Sequence, residues 1–431
     1  MGPAAYRFPR HRTTGHSTDS QSAPQSVPCY ELANAVSLLF SGVALHTAIM
    51  NVLMATATVG AGHTQAAAAL EEAWRLYRPR DAVLRLDVLE FTPRLHRQAY
   101  AEGYAQLIKH APAVWGMLFN STDNPTRVRQ RTHLRRTLAG LPAERFVREV
   151  RRFQPQAVLA THFLPLEIMG RLEARARGAP TPFVACVVTD FEAHALWMEP
   201  VVDLYCVAAT ETRVRLLARG AAPGDVVVTG IPVAPKFAQP LDLRAVRKRH
   251  GLRDDLPTLL VLSGGFGVGP VREILDHLDK LDRTVQVVVV CGRNEALRRE
   301  LAVCDRRHPT RVLGFVTDMH EWMAAADCII TKPGGLTSSE ALALGRPLLV
   351  FSPIPGQEAA NSDFLLEHGA AAKVNRVEDL PAKLERLLGS NQIRTMAAAA
   401  RRLGRPGAAQ AVCAEVAARI GRSAAAPQPR P

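Results

Sequence analysis

Three stretches hold residue types that can do chemistry: VGAGH ending at His63, TDFEAHALW over residues 189–197, and KPGGLTSSEALALGRPLLVFSPIPGQEAAN over residues 332–361. In the third, an apolar run at 328–331 meets Pro333-Gly334-Gly335, a tight turn, before a helix that should open near Leu336. A helix N-terminus carries unpaired N–H groups and partial positive charge, so Lys332, Gly334, Gly335 and the hydroxyls of Thr337 and Ser338 describe a phosphate cradle. Glu340 is expected in the first turn, within reach of a ribose hydroxyl. A further apolar run, 347–351, then delivers Pro355-Gly356-Gln357-Glu358 to the carboxyl end of a strand, where open α/β sheets take ligands. Gln357, Glu358 and Asn361 are therefore binding candidates. His63 places an ionisable ring at a helix start, facing the crevice of the first sheet. A neutral imidazole can accept a proton near pH 7, its unperturbed pKa being about 6.5. The plainer reading of His63 is a cap or a packing residue.

The elements that must position these residues read as βα units. Residues 51–58 form an apolar run before the Gly loop, an Ala-rich helix spans 63–77, and a second strand spans 83–88. Gly60, Gly62, Ala66 and Asp87 approximate a dinucleotide fingerprint, but His63 stands where a pyrophosphate needs backbone alone. Strands follow at 157–160, 183–189, 204–208 and 226–228. A second set begins at 258–263 and leads into SGGFGVGP, where Gly264, Gly265 and Gly267 let backbone approach a phosphate. The strand at 285–291 is followed by Gly292-Arg293-Asn294, with Asn294 a further binding candidate. The strand at 312–316 carries Phe315 and Val316, placed to sandwich or hydrogen-bond a base. The class is α/β, with two Rossmann-like doubly wound domains facing a cleft. Their expected bounds are 50–235 and 236–422, the second carrying the phosphate-cradle candidates.

Composition narrows the partners. Lys plus Arg number 53 against 40 Asp plus Glu, a net charge of +13 that favours an anionic partner. Neither zinc-finger spacing nor an aromatic RNA-binding signature accompanies it, so a membrane surface ranks above nucleic acid. Nine arginines fall within residues 127–152, beside only Glu144 and Glu149. Residues 92–119 show a helical pattern mixing Tyr100, Tyr104, Trp115, Met117 and Phe119 with basic side chains, suited to a lipid–water boundary or to the protein's own core. The seven cysteines include no CxxC pair and sit mostly in apolar runs, as small core residues in a reducing cytoplasm. Residues 1–28 and 423–431 are disordered by composition. Residues 1–49 are expected to be an appendage or a start-site artefact, the apolar stretch at 33–50 being short and interrupted for a membrane span.

KPGGLTSSEAL followed by PIPGQEAAN, together with TDFxxHxxW, resembles the lipid glycosyltransferases that include monogalactosyldiacylglycerol synthase and processive diacylglycerol glucosyltransferase, of glycosyltransferase family 28. The resemblance covers roughly residues 50–420. It implies the GT-B fold, with a last helix crossing back to the first domain. It also implies an inverting UDP-hexose transferase that makes β-glycosyl diacylglycerol on the cytoplasmic side of the membrane. His63 matches the family's catalytic base, at the end of a loop that includes Gly62. Asp190 and His194 match its TDYxxHxxW motif, with Phe191 in place of Tyr. The Gly-rich loop, Phe315 and Val316 match residues that touch the uridine nucleotide. No Asp-x-Asp pair lies near these motifs, so neither cofactor nor catalytic metal is expected, and the helix N-terminus with its basic neighbours must stabilise the departing diphosphate. A UDP-N-acetylglucosamine-using transferase or UDP-sugar epimerase of the same fold, or a non-catalytic UDP-sugar sensor at the membrane, are the alternatives.

Overall fold

The computed structural model describes residues 49–93, 97, 103, 106–108, 110–130, 143–173, 181–262 and 270–425. Residues 1–48, expected as an appendage, the loop with Gly264, Gly265 and Gly267, residues 131–142 of the arginine run and residues from 426 lie outside the described residues.

Strands form where the apolar runs were read. The first sheet contains β1 (Asn51–Thr56), β2 (Ala82–Asp87), β3 (Ala157–Ala160), β4 (Phe183–Val187), β5 (Leu204–Val207) and β6 (Val226–Val228), all parallel, in the order β2-β1-β3-β4-β5-β6. The second contains β7 (Thr258–Leu262), β8 (Gln286–Val290), β9 (Thr310–Leu313), β10 (Cys328–Thr331), β11 (Leu348–Phe351) and β12 (Ala371–Val374), again parallel, in the order β12-β11-β10-β7-β8-β9. Helices cover both faces of each sheet, so strands such as β7, TLLVL, and β8, QVVVV, are buried at every position. The strand order reverses between β1 and β3 and between β7 and β10. These are the switch points at which open sheets leave a crevice.

Two apolar layers sandwich the first sheet. One joins Leu53, Val158 and Val184 to Phe146, Leu166 and Trp197. The other joins Val52, Met54 and Leu159 to Leu70 and Trp74 of the Ala61–Tyr77 helix and to Val412, Cys413 and Val416. Those last residues belong to the final helix, Ala408–Ala425, so the chain does return to the first sheet. A third layer spans both halves: Phe191, Ala208 and Ile231 pack with Leu260, Ile329 and Leu342.

Three local readings need correction. The strand expected at 312–316 runs Thr310–Leu313, which leaves Phe315 and Val316 in the loop beyond its carboxyl end. β12 was not anticipated, because AAKV is short and made largely of small side chains. Of the helical pattern over 92–119, Tyr100 and Tyr104 lie outside the described residues, and the pattern breaks at Ala111, after which a helix, Pro112–Thr122, starts on a proline whose missing N–H is harmless at that position. Among the described residues, the cysteines are free thiols, mostly buried, and no helix is long and apolar enough to cross a membrane.

Candidate active site

The site is built first at the β1–β3 crevice. Beyond β1, Thr58 donates its N–H to Asp87 at 3.1 Å, and Leu89 donates its N–H to the other carboxylate oxygen at 2.9 Å. Asp87 is thereby consumed in holding the loop, which removes the dinucleotide reading that needed it for a ribose. Gly60 then turns the chain with φ +139°, a conformation reserved for glycine, and caps the Ala61–Tyr77 helix. Gly62 and His63 follow in its first turn.

His63 is half-buried, and its Nδ1 lies 2.9 Å from the Thr161 carbonyl and 2.8 Å from the Thr189 hydroxyl. A carbonyl can only accept, so Nδ1 carries the proton and Nε2 keeps its lone pair. Thr161 also donates its hydroxyl to the His63 carbonyl at 2.9 Å, tying the end of β3 to the helix start. Burial lowers the His63 pKa below its ordinary value, against the opposing pull of Asp190 and the Thr161 bond. The ring is neutral near pH 7. Burial acts in the contrary sense on Asp190, raising its pKa against His63 and Asn361.

Sequence reasoning missed His162. Its ring stands edge-on to His63, with centroids 4.8 Å apart, and its Nδ1 accepts from the Leu164 N–H at 3.0 Å. Burial, then the neighbouring His63, holds it neutral, with a pKa well below the ordinary value. The signal available was a histidine at the carboxyl end of a strand beside the switch point.

The second sheet supplies the facing wall. The Gly335–Ala343 helix begins with Gly334 as N-cap and, among the described residues, no capping side chain meets its first N–H groups, although Gly334 itself donates to the Lys332 carbonyl at 2.9 Å. Thr337, half-buried, is in its first turn. Gly335 meets the other domain directly: a Cβ there would stand 2.0 Å from the Thr189 carbonyl and 3.1 Å from Asp190 Oδ1. A Cβ on Gly62 would likewise touch Leu336, at 3.8 Å. The two helix N-termini thus converge on His63. Lys332 is close enough to oppose the burial that raises the Glu358 pKa, to which Asp190 adds.

Several candidates have other work. His194 is buried; its Nδ1 accepts from the Leu196 N–H at 3.1 Å and its Nε2 donates to the Phe119 carbonyl at 3.0 Å. With both nitrogens engaged it fixes the loop against the Pro112–Thr122 helix, which corrects its reading as a catalytic group. Asn361 is 0% exposed, donates to Asp190 Oδ1 at 2.9 Å and accepts from the Phe191 N–H at 2.8 Å, so it faces the first domain instead of a donor. Asn294 accepts from the Leu297 N–H at 3.0 Å as a helix cap. Glu358 accepts from the Ile354 N–H at 2.9 Å, bracing its own Pro-Gly turn beside Gln357.

The nucleotide side keeps its candidates in view. Glu340 lies in the second turn of its helix, not the first, and burial pushes its pKa up to about 8 in spite of Lys236. Lys236, also missed, comes from the segment between the sheets and donates to the Thr317 carbonyl at 2.7 Å, next to Val316, which is partly buried. Phe315 is 61% exposed, with the Arg293 guanidinium 5.7 Å above its ring. Among the described residues, His250, Asp318 and Glu321 gather possible metal ligands within 4.8 Å. Glu321 is already paired with Arg249 at 2.7 Å and His250 at 2.8 Å, and none of the candidate catalytic residues belongs to this cluster.

Two doubly wound sheets with uncapped helix N-termini converging on a neutral histidine define a two-domain α/β protein of the GT-B class. Residues 63–233 match the family model for monogalactosyldiacylglycerol (MGDG) synthase, and residues 258–411 that for the glycosyltransferase family 28 C-terminal domain. The chain is 34% identical over 335 residues to the probable monogalactosyldiacylglycerol synthase 2, chloroplastic, of Oryza sativa subsp. indica, covering 75% of this chain and 70% of that one. It is 40% identical over 205 residues to the processive diacylglycerol beta-glucosyltransferase of Bacillus pumilus, covering 47% of this chain and 53% of that one. The chain thus spans about half the length of that Bacillus relative. The crystal structure of Acinetobacter baumannii MurG shares the fold, at TM-score 0.53 and 18% identity over 85% of this chain and 99% of that one. The chain belongs to the monogalactosyldiacylglycerol synthase family.

Proposed function

We propose that the protein transfers a hexose from a UDP-sugar to diacylglycerol with inversion, giving a β-glycosyl diacylglycerol. The observation that carries this is the His63 tautomer: Nδ1–H is spent on Thr161, and Nε2 is left as a base. The acceptor hydroxyl gives its proton to Nε2 as its oxygen attacks the anomeric carbon. The bond to the diphosphate breaks with its electron pair going to UDP. Lys332 and the open N–H groups of the Gly335–Ala343 helix stabilise that leaving charge, so no metal is required of the step. Glu340 and Lys236 serve the ribose, and Phe315 the base.

The acceptor side suits a peripheral protein on the cytoplasmic face of an anionic membrane. The Pro112–Thr122 helix exposes Val114 (48%), Met117 (73%) and Leu118 (48%), spaced along one stripe. On the Glu144–Phe153 helix, Arg145, Arg148, Arg151 and Arg152 are exposed while Phe146 and Val150 are buried. Incubation with diacylglycerol vesicles, chelator and either UDP-glucose or UDP-galactose tests the reading. A β-linked glycolipid is expected from one donor. An α-linked product would overturn the mechanism, free or epimerised sugar would favour an epimerase-like activity, and UDP binding without turnover would favour a sensor.

A further inference from the structure

We propose that Asn361 is a positioning residue that makes the His63 base competent only while the two domains are docked. It does so by clasping the Thr189-Asp190-Phe191 turn that holds the imidazole. This builds on the glycosyl-transfer reading and adds a residue that acts through others.

The turn is gripped from the second domain at three consecutive residues. Gly335 presses on the Thr189 carbonyl so closely that a Cβ would stand 2.0 Å away. Asn361 donates to Asp190 Oδ1 at 2.9 Å and accepts from the Phe191 N–H at 2.8 Å. The Phe191 ring stacks on Phe364, one helical turn beyond Asn361, with centroids 4.4 Å apart and planes 13° apart. The same turn reaches His63, because the Thr189 hydroxyl lies 2.8 Å from Nδ1. Asn361 is fully buried and uses both ends of its carboxamide on the first domain. A side chain serving a sugar or a diphosphate would instead present a polar atom to the cleft. Separation of the sheets breaks the clasp at once, releasing Thr189 from the ring and Asp190 from its fixed donor. A base misplaced by about 1 Å loses on the order of a hundredfold in rate, so domain docking gates the chemistry.

Asn361→Leu removes both bonds while keeping bulk in the slot. Its kcat should fall by about a hundredfold, with UDP affinity by calorimetry unchanged within about twofold. Combined with Asp190→Ala, which removes the acceptor of the Asn361 amide, it should cost little beyond Asp190→Ala alone, because residues acting as a unit are not additive. UDP affinity lost with kcat retained would make Asn361 a donor ligand and overturn the clasp, as would multiplicative losses in the double variant. Should wild-type protein transfer no sugar to lipid, the transfer reading fails, and amide exchange still judges the clasp. Slow exchange of the Phe191 N–H in wild type that becomes fast in the variant supports it; equal rates overturn it. Asn361→Ser repeats the comparison if the leucine variant does not fold.

Discussion

A proton fixed on His63 Nδ1 by the Thr161 carbonyl leaves the ring's free lone pair on Nε2, and burial keeps that ring neutral near pH 7. Glu340 is the complementary case, a carboxyl whose pKa burial pushes up to about 8, so the folded, unliganded protein holds a proton that the unfolded chain has released above its ordinary 4.5. Ribose hydroxyls donate to the ionised form. Binding UDP near pH 7 should therefore release up to about one proton, fading above pH 8, as calorimetry in buffers of different ionisation enthalpy would show. Glu340→Gln should abolish the release; an unchanged release would remove Glu340 from the ribose site. The types and spacing of His63, Lys332 and Glu340 were legible in the sequence because each lies beside a Gly turn at a strand's carboxyl end, Lys332 just before its turn and the other two after theirs. The roles of Asn361 and His194 were not, since both are set by contacts with residues far away in the chain: Asp190 and Phe191 for the first, Phe119 for the second.

Helices and loops carry the next layer. Strands such as β8 were readable from unbroken valine runs, and β3, β6 and β10 match their expected bounds. β12 escaped because AAKV has almost no β signature, and β9 was placed too late because its edge position leaves Arg311 exposed and the apolar pattern weak. The Pro112–Thr122 helix was readable as amphipathic, but its inward face was not. Gly116 packs on Pro355 and Phe119 on Gly356, which anchors this helix against the Pro-Gly-Gln-Glu turn and turns Val114, Met117 and Leu118 outward. Met117→Asp with Leu118→Asp should leave UDP affinity intact while cutting co-sedimentation with anionic vesicles severalfold, because charged groups are costly to insert among acyl chains. Binding by the parent protein should also weaken as salt rises. Undiminished sedimentation of the double variant would remove this helix from the membrane face.

At the scale of the molecule, two sheets that each lead through a Gly turn into a helix bring those helix starts together, and the last helix returns to the first sheet. The sequence motifs announced both halves. Their junction, with Gly335 on Thr189 and Asn361 on Asp190, appears only when the fold sets the two sheets face to face. The proposed chemistry at this junction rests on one nitrogen, His63 Nε2. The direct measurement is the rate of hexose transfer to diacylglycerol by His63→Ala, taken beside its UDP affinity. A fall in kcat of about a hundredfold or more, with UDP affinity within about twofold of the parent, is the result the account requires. Transfer at near-parental rate, or a loss confined to UDP binding, would contradict it.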